Sequence, residues 1–180
     1  MIIDMTNNLP VYVFIKHKYN FSANSTELAE KCISIFCDKN NINYQDTIKV
    51  SKDCWGKPHS NISGTYLSIS HSTDYWICVV SIFPIGVDIE KTKTSINKPL
   101  LQRLTKYSLF DSSPISLWTK IESCSKLLGK GLAVSLNELI EYVVNGKFAF
   151  VNCLVNVNYV CTICFCKTFL NKCNVIKCHL

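Results

Sequence analysis

The sequence predicts an α+β fold made of two related halves. Strand patterns rich in β-branched and aromatic residues alternate with amphipathic helix patterns along the 180 residues. Two of the strand patterns, residues 75–80 and 159–164, resemble each other in residue type, which indicates that one structural unit is used twice. We place the division at residue 90, so that residues 1–90 and 91–180 form two lobes of one domain.

The first half combines one helix with several strands. Asn24 and Glu27 are spaced as a capping box at the start of an amphipathic helix over residues 28–36. Pro84 and Gly86 mark a turn before the last strand of this half. In chain order, the strand patterns are residues 11–15, 47–51, 66–70, 75–81 and 87–90.

The second half opens with a well-delimited helix. Ser113 at the N-cap and Pro114 at the first helical position predict its start, and Gly129 predicts its end. A basic, flexible turn over residues 129–132 is expected to follow. The remaining elements are a short helix at residues 135–142, a hairpin turn at 145–146, and strands at 148–155 and 159–165.

Composition favours a cytoplasmic protein with an anionic ligand or an acidic protein partner. A hydrophobic content of 48% can supply a core, and no apolar run approaches the length of a membrane span. The first ten residues lack the basic start and apolar stretch of a signal peptide. The net charge of +6 comes almost entirely from lysine, and motifs that read or stack on bases are absent. We therefore expect neither a membrane nor a nucleic-acid partner. A two-lobed single chain makes a monomer the simplest expectation.

The eleven cysteines are interpreted as reduced, mostly apolar side chains, because no secretory signal accompanies them. The alternative is a zinc site formed by the cysteines near the C-terminus together with His179. Strand alternation argues against it, because Cys164 and Cys166 would share one face while Cys161 points to the other. The paired two-residue spacing of structural zinc sites is also absent.

The first functional signature is a pair of acidic residues on the strand over residues 87–90. Alternation puts Asp88 and Glu90 on one face, while Val87 and Ile89 face the core. Adjacent carboxylates of this kind suit Mg²⁺, which takes one or two carboxylates together with phosphate oxygens and water. The alternative is a solvated strand end that happens to be acidic.

The second signature lies 34 residues further on, in the helix that starts at Pro114. Leu117, Ile121, Cys124 and Leu128 recur at helical spacing and predict its buried stripe. Glu122 and Lys126 are four residues apart on a neighbouring face, which an ordinary surface salt bridge would also explain.

Together these segments resemble the two signature motifs of the 4′-phosphopantetheinyl transferase superfamily, in its two-lobed, single-chain form. The motif residues are 86–90, 118–126 and 129–132. Two upstream segments strengthen the resemblance: Gly56-Lys57-Pro58, and Ser70-His71-Ser72, which are similar to coenzyme A segments of the family. One departure is Ile121, which stands where the family usually has a lysine. No acidic residue lies between the motifs before Asp111, although many members have one there.

The resemblance implies two pseudo-symmetric lobes with the active site in the cleft between them. It implies transfer of the phosphopantetheine arm of coenzyme A to a serine of an acyl or peptidyl carrier protein, which releases adenosine 3′,5′-bisphosphate. Asp88, Glu90 and Glu122 would hold Mg²⁺, and Glu122 would take the serine proton directly or through water. Lys126 would bind phosphate, and the remaining coenzyme A contacts would come from Lys57, Pro58, Ser70, His71 and Ser72.

Two further interpretations stay open at this stage. His71 could be a hydrogen-bonded histidine at a strand end rather than a phosphate ligand. Between Glu90 and Asp111 the chain carries basic residues and leucines but no acidic residue, which fits either a solvated basic helix or a surface that docks an acidic carrier. The competing functions are a non-catalytic relative that binds coenzyme A or a carrier protein, and a cysteine-rich metal-binding module.

Overall fold

The computed structural model describes residues 8–18, 24–107, 113–130 and 133–180. Asp111 and residues 131–132 of the expected basic turn lie outside these ranges. In the described residues the strands are β1 (Leu9–His17), β2 (Val50–Lys52), β3 (Pro58–Ser60), β4 (Tyr66–Ser72), β5 (Tyr75–Ser81), β6 (Ile85–Lys91), β7 (Phe148–Asn152), β8 (Tyr159–Cys166) and β9 (Cys173–His179). The helices are α1 (Ser25–Lys39), α2 (Lys98–Thr105), α3 (Pro114–Leu128) and α4 (Leu136–Val144). The mixture of helices and sheets agrees with the predicted α+β class.

A four-stranded sheet in the order β4-β5-β1-β9 is covered on one face by α1. Strand β1 pairs antiparallel with β5 and parallel with β9. Helix α1 starts where predicted, because the Asn24 side chain accepts a hydrogen bond from the Thr26 amide at 3.0 Å. Its buried residues Ile33 and Phe36 pack on Phe14 and Trp76 of the sheet.

A three-stranded antiparallel sheet in the order β6-β8-β7 packs on the other face of the first sheet. The core between the sheets takes alternate residues of β1, β5, β6 and β8, for example Val13, Val79, Val87 and Ile163. The outer face of the second sheet is covered by α3 and α4. The layers therefore run from α1 through the two sheets to α3 and α4.

Both sheets contain strands from both halves of the sequence. Strand β6 pairs with β8, and the C-terminal strand β9 pairs with β1. The division at residue 90 and the two-lobe symmetry stay predictions. The predicted hairpin at residues 145–146 is wrong: Asn145 caps the end of α4, and Gly146, with φ of +62°, turns the chain into β7.

The two sheets meet along an edge where β4 runs beside β6. Serine hydroxyls join the strands here: Ser68 Oγ accepts a hydrogen bond from the Val87 amide at 3.0 Å, and Ser70 Oγ accepts one from the Ile89 amide at 3.3 Å. Both partner numbers rise together, so the strands run in the same direction. The candidate site lies at this edge, under α3.

Candidate active site

Helix α3 crosses β6 directly over Gly86. A Cβ atom on Gly86 would lie 2.6 Å from the amide nitrogen of Leu127 and closer still to the carbonyl oxygen of Ser123. The absence of a side chain at Gly86 therefore lets the helix backbone rest on the strand. Asp88 is two residues further along the same face of β6, which brings its carboxylate beneath α3.

Alternation along β6 is as predicted. Val87 and Ile89 are fully buried in the core between the sheets, and Asp88 points to the opposite side, towards α3. Asp88 is itself buried, with 4% of its surface exposed, whereas Glu90 is half-buried. The alternative of a solvated acidic strand end is wrong for Asp88.

The ends of α3 are also as predicted. Ser113 accepts a hydrogen bond from the Ser116 amide at 3.2 Å, and Gly129 ends the helix with φ of +65°. Leu117, Ile121 and Cys124 are buried against the second sheet. Ile121 therefore belongs to the core, and the flank next to it carries Glu122 and Lys126.

Lys126 forms an ion pair with Asp88 rather than with Glu122. Its Nζ lies 2.7 Å from Asp88 Oδ1 and donates a second hydrogen bond to Ser70 Oγ at 2.9 Å. Ser70 Oγ in turn donates to Asp88 Oδ1 at 2.9 Å. Three side chains from β4, β6 and α3 thus form a closed triangle, so the surface salt bridge that helical spacing suggested is not formed.

Among the described residues, this site holds more negative charge than positive charge. Asp88 Oδ2 is buried and has no hydrogen-bond partner there. Burial, and next the negative charge of Asp88, raise the pKa of Glu90 and of Glu122 above the ordinary value. Lys126 offsets one of the three negative charges, which leaves a net charge of −2 when all are ionised.

These groups line one cavity of about 380 Å³. The aromatic Trp118 and the exposed His71 are part of its wall. The lining residues are Ile69, Ser70, His71, Asp88, Glu90, Trp118, Glu122 and Lys126. Within residues 8–18, 24–107, 113–130 and 133–180, no three histidine, cysteine, aspartate or glutamate side chains stand together as a metal-binding group. The magnesium ligands predicted from the sequence thus share a pocket without forming a ready coordination sphere.

A smaller cavity of about 160 Å³ adjoins the first, with Ile69 and Lys126 in both walls. It brings together the hairpin between β2 and β3 and the end of α3, and includes Lys57 and Pro58. Lys57 Nζ donates to the carbonyl oxygen of Leu127 at 2.6 Å, at the negative end of the helix dipole. Burial lowers the pKa of Lys57.

The hydroxyls of two serines that were expected to contact coenzyme A are hydrogen-bonded to carboxylates. Ser70 is hydrogen-bonded within the triangle, and Ser72 Oγ donates to Glu90 Oε2 at 3.4 Å. Thr94 donates to the same oxygen at 3.4 Å. The sequence reading missed Thr94, which follows β6, and Ser68, although the period-two series Ser68, Ser70 and Ser72 was the signal for a polar strand face.

Trp55 is another residue that the sequence reading missed. It lies at the tip of the β2–β3 hairpin, is 56% exposed, and lines the smaller cavity. The signal in the sequence was its position directly before Gly56-Lys57-Pro58, a segment already expected to contact coenzyme A.

All eleven cysteines are free thiols, and seven of them are buried. Cys161 packs between the sheets and Cys164 packs under α3, so their predicted placement on opposite faces of β8 is confirmed. In the part of the chain that the structure describes, no cysteine cluster forms a metal-binding group. The cysteines serve mainly as small core side chains.

None of the described helices has the length and apolar character that a membrane crossing needs. No protein-family model matches the chain.

The chain is similar to two curated proteins. One is the 4′-phosphopantetheinyl transferase gsp of Aneurinibacillus migulanus, 30% identical over 103 residues, in a match that covers 51% of this chain and 43% of the relative. The other is the 4′-phosphopantetheinyl transferase Sfp of Bacillus subtilis (strain 168), 34% identical over 102 residues, in a match that covers 50% of this chain and 45% of the relative. The chain spans less than half the length of these curated relatives. The similarity supports the relationship to the 4′-phosphopantetheinyl transferase superfamily that the motifs predicted.

Proposed function

We propose that this protein transfers the 4′-phosphopantetheine arm of coenzyme A to a serine hydroxyl of an acyl or peptidyl carrier protein. The observation that carries the proposal is the pocket in which Asp88, Glu90, Glu122 and Lys126 meet, although they come from two segments 34 residues apart. The names of the two relatives support the same reaction. Carriers of fatty acid, polyketide and nonribosomal peptide synthesis all remain candidate acceptors.

The pocket suits a divalent cation that bridges to a diphosphate. Three carboxylates against one lysine leave two uncompensated negative charges, and the buried Oδ2 of Asp88 lacks a partner among the described residues. Oxygen ligands of this kind are those that Mg²⁺ prefers, with phosphate and water completing the shell. Asp88, Glu90 and Glu122 would hold the ion, which would neutralise charge on the leaving bisphosphate when bound.

The protein's own side chains would divide the remaining work. Lys126 would offer its ammonium to a phosphate oxygen from the wall that both cavities share. Glu122 would take the proton from the attacking serine directly or through a water. A carboxylate that holds a metal ion is a weak base, so the route through a water is the one we favour.

The smaller cavity is our proposed binding site for a further part of coenzyme A. Lys57 and Pro58 line it, and His71 lies across the shared wall in the larger cavity. Lys57 would turn its ammonium from the Leu127 carbonyl to a phosphate, exchanging one negative partner for a stronger one. Gly129 allows this arrangement, because a Cβ atom there would collide with the Lys57 side chain.

We propose α2 as the surface that docks the carrier. Leu104 is buried and anchors the helix on the core, whereas Leu101 is 39% exposed. The exposed face and the C-cap of α2 carry Arg103 and Lys106, and the first turn of this helix contains no acidic residue. The arrangement supports steering of an acidic carrier by charge, with an apolar contact at Leu101.

The reaction is tested by the intact mass of an apo carrier protein incubated with this protein, coenzyme A and Mg²⁺. We expect the carrier to gain the mass of one phosphopantetheine arm, and the gain to disappear when a chelator replaces Mg²⁺. An unmodified carrier, together with measurable coenzyme A binding, would identify a non-catalytic relative instead. Bound zinc without coenzyme A affinity would identify a metal-binding module.

A further inference from the structure

Three serines two residues apart line the edge of β4 that faces β6. Because strand side chains alternate, Ser68, Ser70 and Ser72 share one side of β4, while Leu67 packs with α1 on the other. All three are buried. Buried hydroxyls need hydrogen-bond partners, so the partners of each serine show what it does.

The three hydroxyls have different partners. Ser68 Oγ accepts a hydrogen bond from the Val87 backbone amide and has no contact with the ion pair. Ser70 Oγ accepts from the equivalent amide of Ile89 and also touches both members of the Asp88–Lys126 ion pair. Ser68 and Ser70 are thus matched in strand, face and burial, and differ in contact with the charged pair.

The hydrogen-bonding capacity of Ser70 is fully used. A serine hydroxyl has one hydrogen to donate and two lone pairs to accept with. The hydrogen goes to Asp88 Oδ1 at 2.9 Å, and the lone pairs take the Ile89 amide at 3.3 Å and Lys126 Nζ at 2.9 Å. With 4% of its surface exposed and its one hydrogen donated to Asp88, Ser70 has neither the access nor a free hydrogen for a phosphate group.

We propose that Ser70 is a positioning residue: it fixes the Lys126 ammonium and the Asp88 carboxylate to the β4–β6 edge instead of binding coenzyme A itself. A lysine head group on a flexible stem needs such a support, because each free rotamer of the stem places the charge elsewhere. The backbone of Ser70 is paired with Ile77 of β5, so the hydroxyl projects from a rigid strand. The consequence for transfer rests on the proposed function, whereas the positioning does not.

The test compares Ser70→Ala with the matched control Ser68→Ala. Proton–nitrogen NMR of ¹⁵N-lysine-labelled protein at low temperature detects ammonium groups that are held in hydrogen bonds, because their protons exchange slowly with water. The Lys126 signal is assigned by its loss in Lys126→Arg. Transfer kinetics on the same variants give kcat and the KM for coenzyme A, and urea unfolding records the stability of each.

We expect Ser70→Ala to lose the protected Lys126 signal and to lower kcat about 10- to 100-fold, with the KM for coenzyme A changed less than about threefold. Ser68→Ala should keep the Lys126 signal at a comparable cost in stability. If Ser70→Ala does not fold, Ser70→Cys, which keeps the size but bonds weakly, should give the same result.

A Lys126 signal that survives in Ser70→Ala would overturn the proposal, as would an equal loss of that signal in Ser68→Ala. A rise in KM at unchanged kcat would also overturn it, because that pattern belongs to a residue that binds coenzyme A. If the signal is lost as expected but the wild-type protein modifies no carrier, the positioning role stands and the proposed function fails.

Discussion

Replacement of Gly86 by alanine tests whether the crossing of α3 over β6 builds the site. The added Cβ atom would lie 2.6 Å from the Leu127 amide nitrogen and 3.1 Å from Leu127 Cα. Both are backbone atoms of a helix, so no side-chain rotation can relieve the overlap. The helix itself has to move away from the strand.

The size of the movement follows from these distances. Ordinary contact begins at 3.4 Å, so the Leu127 nitrogen must retreat by about 0.8 Å, and the closer Ser123 oxygen demands more. Overpacking of this kind costs about 1–3 kcal/mol of unfolding free energy. A shift near 1 Å also separates Lys126 and Glu122 on α3 from Asp88 on β6, which should lower the transfer rate about 100-fold.

Urea unfolding and the carrier modification assay measure both effects. Gly64→Ala is the control: Gly64 has φ of +75°, so alanine is strained there, but its Cβ would meet nothing within 4 Å. The strain costs about 1–2 kcal/mol, and no helix has to move. We expect Gly64→Ala to lose stability and keep its rate. Full stability and full activity of Gly86→Ala would refute the close crossing, and equal rate losses in both variants would refute its link to the site.

Two further predictions concern charge. In metal-free protein, burial and the charge of Asp88 raise the pKa of Glu122 above 4.5. Between pH 4.5 and this higher pKa, the folded state keeps a proton that the unfolded state has released. The stability of the fold therefore falls as the pH rises through that range. Glu122→Gln should therefore raise the urea midpoint relative to wild type at pH 7 but not at pH 4, and a difference independent of pH would contradict this. Reversal of charge in Arg103→Glu/Lys106→Glu should raise the KM for the carrier about 10-fold at low salt and much less at high salt, with the KM for coenzyme A unchanged. Lys31→Glu on α1 is the control, and an effect of equal size there would argue against docking on α2.

Elements with local end signals could be predicted from the sequence. Helix α3 starts and ends at its signals because Ser113 and Gly129 supply the capping bond and the left-handed turn themselves. Strand β9 was missed, because residues 173–179 mix cysteine, asparagine and lysine with few β-branched residues, and its pairing with β1 depends on the tertiary fold. Asn145 and Gly146 look like a hairpin turn in isolation, but the same residues can end a helix, and the preceding helix decides between them.

The residues of the site could be predicted from the sequence, but the contacts between them could not. Alternation gave the faces of Asp88 and Val87, and helical spacing put Lys126 near Glu122. The actual partner of Lys126 is Asp88, because Gly86 lets α3 approach β6 so closely that the strand carboxylate is the nearer one. Ser70 was read as a ligand contact for a similar reason: its neighbours in space, Ile89 and Lys126, are far away in the sequence.

The proposed transfer reaction depends most on the carboxylate pocket as its active site. The direct measurement is the intact mass of an apo carrier after incubation with coenzyme A, Mg²⁺ and either wild-type protein, Asp88→Ala or Glu122→Ala, with Glu141→Ala on α4 as the control. We predict a modified carrier with wild type and Glu141→Ala, and an unmodified one with the two pocket variants, each folded by circular dichroism. Near-normal modification by Asp88→Ala or Glu122→Ala would contradict the account.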